Sequence, residues 1–317
     1  MLKCTMPKWS LLLFTWGALS FGGPAFAEWP EKPIRLIVPY SPGGGFDTFA
    51  RAFAPELEQA LGTDIIIDNV PGAGGRRGLQ TMLKAKPDGY TITMFNVPGI
   101  VIAQVTGKLK AVDLNDIAWI SSVSKANYSL VLSAKSDIGN LNDLCNLGRP
   151  AKFSATGPGS SSHTAAVVLM ETASCPFTLV TGYEGSTEAA LAVIRGEVDA
   201  MVTGIDSSSK FVVSGDAKIG LTFSADRMFD DVEAAGEIGD PELESLAQIR
   251  MFGAPPETPG DIIKKFSDAF EKAANSDRLV VWSQSANRPI TFLNSEETAK
   301  TIETQFGVME DFADAFN

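Results

Sequence analysis

From residue 34 onward, short β-branched runs alternate with amphipathic stretches of helical period. That alternation restricts the chain to βαβ units, because a buried strand needs a helical crossover to reach its parallel neighbour. Residues 34–38 read as a buried strand, and 47–61 as a helix with Phe49, Phe53, Leu57 and Leu61 along one face. Gly62 closes it. Strands are expected at 65–68 and 90–95 around a helix at 77–84, then at 117–123 and 130–133. The pattern restarts with helices at 141–147, 163–172 and 188–195 among strands at 152–155, 177–180, 199–202 and 219–223. The last third carries helices at 261–275, 278–285 and 295–316, with a strand at 290–293.

With 317 residues, the chain exceeds one ordinary core and suits two α/β domains. The two sets connect at 124–129 and again at 244–251. Two crossings make a hinge, so a cleft is expected between one lobe of residues 28–128 plus 248–317 and another of residues 129–247.

The first 27 residues read as a secretory signal peptide. Lys3 and Lys8 precede an apolar run at 11–20, Gly22, Gly23 and Pro24 break it, and Ala25-Phe26-Ala27 suits cleavage after Ala27. The run falls short of the roughly 20 residues that span a bilayer. A periplasmic protein follows, with no transmembrane segment in the mature chain. Cleavage removes two lysines and no acid, taking the formal charge from −12 to −14. Such a surface repels phosphate backbones, which excludes nucleic acid as a partner. It also repels carboxylates at long range, so an anion site has to come from local backbone dipoles or a placed arginine. Cys145 and Cys175 form an even pair that an oxidising compartment can bridge; the alternative is two buried thiols.

Four glycine-rich loops each follow an expected strand and lead into a helix: 42–47, 71–75, 156–163 and 182–186. Ligands of open α/β sheets bind at the carboxyl ends of strands, where such loops gather. Free N–H groups at a helix start, with its partial positive charge, attract anions. Asp47 reads as a helix N-cap that a ligand amine can also meet. Arg76 and Arg77 are either a bidentate carboxylate grip or two solvated surface side chains.

Enzyme signatures are absent. No G-x-G-x-x-G or G-x-x-x-x-G-K-[ST] motif supports a nucleotide site, and G-x-S-x-G is missing. His163 is the only histidine, so a secreted hydrolase with a Ser-His-Asp triad would have to use it. One histidine and two mature cysteines leave too few soft ligands for a metal, and no cofactor is expected.

The loops also carry a family likeness. Residues 29–39 running into Pro42-Gly43-Gly44-Gly45-Phe46-Asp47 resemble the mature start of the Bug family, the solute-binding proteins of tripartite tricarboxylate transporters. Residues 69–75 and 87–91 look like its next two signatures, and Gly157-x-Gly159-Ser160-x-Ser162-His163 and Tyr183-x-Gly185 like its second-lobe motifs. The resemblance implies an α/β type II periplasmic-binding-protein fold, a monomer that closes on a small carboxylate and delivers it to membrane transporter subunits. A ligand-sensing role beside a membrane kinase is the variant of that reading. Carried over, the ligand contacts fall on Gly43, Gly44, Gly45, Phe46 and Asp47 in one lobe and on Ser160, Ser162 and His163 in the other. Gly74, Arg77, Tyr183 and Thr203 complete the expected set. Glu184 stands where the family usually has Lys, Phe46 where a smaller residue is usual, and Thr203 where Asp is frequent. These departures bear on ligand identity and leave the fold alone.

Overall fold

The structure, a computed structural model, describes residues 1–2 and 29–316. The expected signal peptide and its cleavage point after Ala27 lie, apart from Met1 and Leu2, outside the described residues. No helix among the described residues is long and apolar enough to cross a membrane.

The first sheet is built from β1 (Ile34–Val38), β2 (Ile65–Asn69) and β3 (Thr91–Val97), with β1 parallel to both neighbours. Helices α1 (Gly45–Leu61), α2 (Arg76–Leu83) and α3 (Gly99–Val105) connect and cover these strands. The aromatic stripe on α1 is buried, with Phe49, Phe53 and Leu57 at 0% exposure. They meet Phe252, Phe266 and Phe270 from later in the chain.

A single strand, β4 (Ala118–Ser133), then leaves this sheet and enters the next. Its first part pairs antiparallel with β9 (Ala247–Ala254), its second part with β7 (Ala200–Gly204) and β8 (Ala217–Thr222). The second sheet continues from β7 to β5 (Ala151–Ala155) and β6 (Phe177–Thr181), all parallel. Helices α4 (Leu141–Cys145), α5 (Ser161–Thr172), α6 (Ser186–Ile194) and α7 (Ile205–Val213) belong to this half, as does α8 (Pro241–Ser245). The chain returns through β9, which also pairs antiparallel with β3, and ends in α9 (Gly260–Ala274), α10 (Asp277–Ser285) and α11 (Ser295–Glu310).

Where the expected elements differ, buried polar side chains explain most of it. Residues 117–123 and 130–133 form one strand, because the serines between them are satisfied internally: Ser124 Oγ accepts from Arg250 Nη1 at 2.7 Å and Ser129 donates to the Thr203 carbonyl. The sequence marks β9 only as a crossing, since Gln248 and Arg250 interrupt its apolar pattern, yet both are buried and bonded to each other at 2.7 Å. Helix α7 opens on Asp206 and three serines, residue types that favour caps and turns over helix interiors, so it does not read as a helix. The strand expected at 290–293 makes only an isolated bridge, Leu293 to Ser122. Residues 313–316 form a separate 3₁₀ turn after α11.

Cys145 at the end of α4 and Cys175 after α5 are joined as a disulfide, with Cα atoms 5.2 Å apart. The link ties the end of α4 to the connection between α5 and β6.

Candidate functional site

Four helices start at the carboxyl ends of strands and face one gap between the two sheets. Helix α1 follows β1, while α5, α6 and α7 follow β5, β6 and β7. Their first residues line a common cavity: Gly44, Gly45 and Phe46 from one side, and Ser161, Ser162, Ser186 and Ser207 from the other. Tyr40, Thr156, Thr203 and Gln248 complete the wall. Among the described residues, no ionisable side chain except the Tyr40 phenol lines it. The partial positive ends of four helices therefore act on a space whose walls supply hydroxyls, an amide and backbone N–H groups.

The halves are drawn together around this space. Gly45 N–H donates to Ser186 Oγ at 3.2 Å, and Ser41 N–H to the Glu184 carbonyl at 3.0 Å. The Gly43 carbonyl accepts from Thr187 Oγ1 at 2.8 Å and from Lys210 Nζ at 3.0 Å. On the other flank, Arg76 Nη1 donates to the Pro158 carbonyl. The remaining cavity is about 20 Å³, close to the room of one water. The two halves meet closely here, and the space left is too small for an organic acid.

Several hydroxyls are held ready. Ser160 caps α5 by accepting from His163 N–H, and its hydroxyl meets Ser162 Oγ at 3.1 Å. Ser162 Oγ also accepts from Thr156 N–H. Ser161 Oγ, near the Tyr128 phenol, is buried on the cavity wall without a well-formed hydrogen bond among the described residues. Burial pushes the Tyr40 phenol well above its ordinary pKa, so it stays a neutral donor, bonded to the Gly74 carbonyl.

Of the residues expected at the site, Gly44, Gly45, Phe46, Ser162 and Thr203 lie on the cavity. Gly43 turns its carbonyl to Thr187 and Lys210 and gives its N–H to Asp47 at 2.8 Å. Asp47 is not the N-cap, a position Gly44 holds. Two residues into α1, its carboxylate reaches back to brace the loop and also binds Arg51 and Asn69. Burial raises its pKa, but the hydrogen bonds from Arg51, Gly43 and Asn69 outweigh that and hold it below the ordinary aspartate value.

Gly74 packs against the backbone of Gly157, Pro158 and Ser160 across the gap, where an added Cβ would come 2.7 Å from the Pro158 oxygen. Arg77 is exposed, and the neighbouring Arg76 makes the crossing contact instead. Tyr183 packs on an apolar cluster of the second half and is not among the residues lining the cavity. Ser160 acts through its cap.

His163 is also displaced from its expected place. It sits one residue past Ser162, a turn of about 100° around the helix, and its ring lies 5.9 Å from that of Phe316. Nδ1 is buried without a partner among the described residues. Burial, with Lys108 and Arg76 nearby, brings its pKa down to about 4, so the ring is neutral. No Ser-His-Asp arrangement forms around it among the described residues.

Sequence reasoning missed Tyr40, Thr156, Ser161, Ser186, Ser207 and Gln248 as wall residues. Thr156, Ser161 and Ser186 sit inside the recognised glycine loops, so treating every hydroxyl there as a wall candidate would have found them. Ser207 and Gln248 lie in α7 and β9, the elements whose patterns were unreadable.

Among known proteins, residues 49–309 match the family described as the tripartite tricarboxylate transporter family receptor. A UPF0065 protein of Bordetella pertussis is 29% identical over 257 residues, covering 79% of each chain. Among solved structures, the periplasmic binding protein BugD superposes with a TM-score of 0.82 at 20% identity, covering 90% of this chain and 98% of that one. MatC from Rhodopseudomonas palustris with bound malate superposes with a TM-score of 0.81 at 22% identity, covering 91% and 100%. Both share the periplasmic-binding-protein fold seen here. With the family match spanning most of its length, the chain belongs to the receptors of the tripartite tricarboxylate transporter family, the Bug-type solute-binding proteins.

Proposed function

We propose that the protein is an extracytoplasmic receptor that closes two lobes over a small carboxylate and delivers it to membrane transporter subunits. The observation that carries this reading is the cavity wall, where helix starts from both sheets present N–H and hydroxyl donors and no carboxylate. Such donors are stronger toward an ionised acceptor than toward a neutral one. Malate in the related MatC supports a dicarboxylate or similar organic acid.

The lobes would be residues 28–128 plus 248–317 and residues 129–247, a division supported by β4 pairing in both sheets and by the chain re-entering the first sheet at β9. Closure gives the partner a shape to read. The family match supports a periplasmic location, and we take the functional unit to be a monomer. His163 packs near Phe316 and is not among the residues lining the cavity, which supports binding without turnover.

A thermal-shift screen of malate, adipate, citrate, benzoate and amino acids against the mature protein tests the reading. A ligand at 100 times its Kd adds about 2.7 kcal/mol of stability. If no carboxylate raises the melting temperature, the ligand class is wrong.

A further inference from the structure

An acidic surface repels an anion at long range and the cavity wall is neutral, so charge behind the wall adds to the pull of the helix starts. Four charged side chains are buried among the described residues: Asp47, Asp206, Arg250 and Arg288. Asp47 is paired with Arg51 at 2.9 Å. The other three form one cluster, with Arg250 Nη2 at 3.0 Å and Arg288 Nη1 at 3.4 Å from the same Asp206 oxygen. One carboxylate therefore faces two guanidinium groups, and one positive charge is left over in a region closed to water.

This cluster lies directly beneath the cavity. Arg250 Nη2 donates to Ser207 Oγ at 3.0 Å and to Gln248 Oε1 at 2.7 Å, both wall residues. A Cβ on Gly45 would come 3.0 Å from the same nitrogen. The guanidinium also sits over the rings of Phe46 and Phe49, 5.1 and 4.6 Å from their centroids. Its Nε is buried and makes no hydrogen bond among the described residues. Arg250 engages Gln248 Oε1, which leaves the amide NH₂ as the donor this wall residue has to offer. The cluster also joins the two halves, with Asp206 on α7 of one and Arg250 and Arg288 on segments of the chain's return, in β9 and after α10.

We propose that the Arg250–Asp206–Arg288 cluster is the charge selector of the site: its excess positive charge makes the cavity take an anion, and Arg250 aims the Gln248 amide at it. Arg250 and Arg288 are positioning residues, acting through Ser207, Gln248 and the field they set up. This deepens the receptor reading and rests on it. The neutral wall hides the charge from solvent, so salt screens it little.

Calorimetric titration of the mature protein with malate, adipate, citrate and benzoate tests the idea in wild type, Arg288→Gln, Arg288→Lys and Asp206→Asn. Arg288→Gln cancels the excess charge and is expected to weaken the best-bound acid about tenfold. Arg288→Lys restores the charge and keeps affinity within about twofold of wild type. Asp206→Asn adds a second uncompensated charge and is expected to strengthen binding severalfold, although it loosens the fold. A merely structural role would weaken binding in all three. If Arg288→Gln binds like wild type, or Arg288→Lys weakens binding as much as Arg288→Gln, the inference is overturned while the receptor reading stands. Should Asp206→Asn not fold, the Gln and Lys variants decide alone. If wild type binds none of the four acids, the receptor reading fails and the inference falls with it.

Discussion

Across the cleft, the backbone N–H of Gly45 donates to the hydroxyl of Ser186 at 3.2 Å. One half of the protein thus fills, with its own oxygen, the place where an N–H at the start of α1 would meet a ligand oxygen. At this contact a carboxylate entering the site replaces a neutral acceptor with a charged one, which forms the stronger bond.

Gly45 has no room for a side chain. An alanine Cβ would lie 2.2 Å from Ser207 Oγ and 3.2 Å from Ser207 Cβ. Overpacking of this kind costs about 1–3 kcal/mol, and the halves relieve it by parting. Gly45→Ala is expected to fold, to show a larger radius of gyration by small-angle scattering, and to lose carboxylate affinity by at least about tenfold. An unchanged radius with wild-type affinity would refute the close approach.

Arg76 and Arg77 are adjacent but not equivalent. Arg76 bridges the halves through the Pro158 carbonyl, and Arg77 is exposed. A charge-assisted hydrogen bond is worth about 1.5–3 kcal/mol when buried and less at a partly exposed site. Arg76→Ala is expected to weaken ligand binding by roughly three- to tenfold, since closure loses a clasp. Arg77→Ala should leave the Kd within about twofold. Titration of the two variants side by side gives the answer.

His163 links stability to pH. Burial first, then Lys108 and Arg76, lower its pKa from 6.5 to about 4 in the folded protein. Between those values the unfolded chain binds the proton and the folded chain does not, so stability falls as pH drops from 6.5 toward 4. Lost hydrogen bonds to Asp47, whose pKa is also lowered, act in the same direction at lower pH. Melting temperatures of wild type and His163→Gln measured from about pH 7 to pH 4 separate the two, because the variant lacks only the histidine contribution. The wild-type curve is expected to fall more steeply between pH 6.5 and 4.

The Cys145–Cys175 link closes a loop of 30 residues. Chain entropy alone assigns such a cross-link about 3–4 kcal/mol. Replacing both cysteines by alanine is expected to lower the melting temperature by roughly 10 °C, at about 2–4 °C per kcal/mol for a protein of this size. Wild type in reducing agent should melt with the variant, while ligand affinity stays unchanged because the link lies far from the cavity.

Residues 34–38 and 65–68 announce themselves as strands by β-branched runs, and Phe49, Phe53 and Leu57 announce their helix by spacing. Glycine loops after strands mark the carboxyl edge, where Gly44, Gly45, Phe46 and Ser162 indeed stand around a common space. Local sequence suffices for these features because backbone conformation and one-sided burial are set by near neighbours. The strand β9 and the helix α7 are different. Their Gln248, Arg250, Asp206 and Ser207 look like surface residues until β9 and α7 are brought together, and the bonds that join the two elements link residues more than 40 positions apart. Likewise, the single step along α5 that separates Ser162 from His163 decides which faces the cavity and which faces Phe316. A hydrogen bond or an ion pair between distant segments leaves no local period to read, so the buried charge beneath the site was decided by tertiary structure alone.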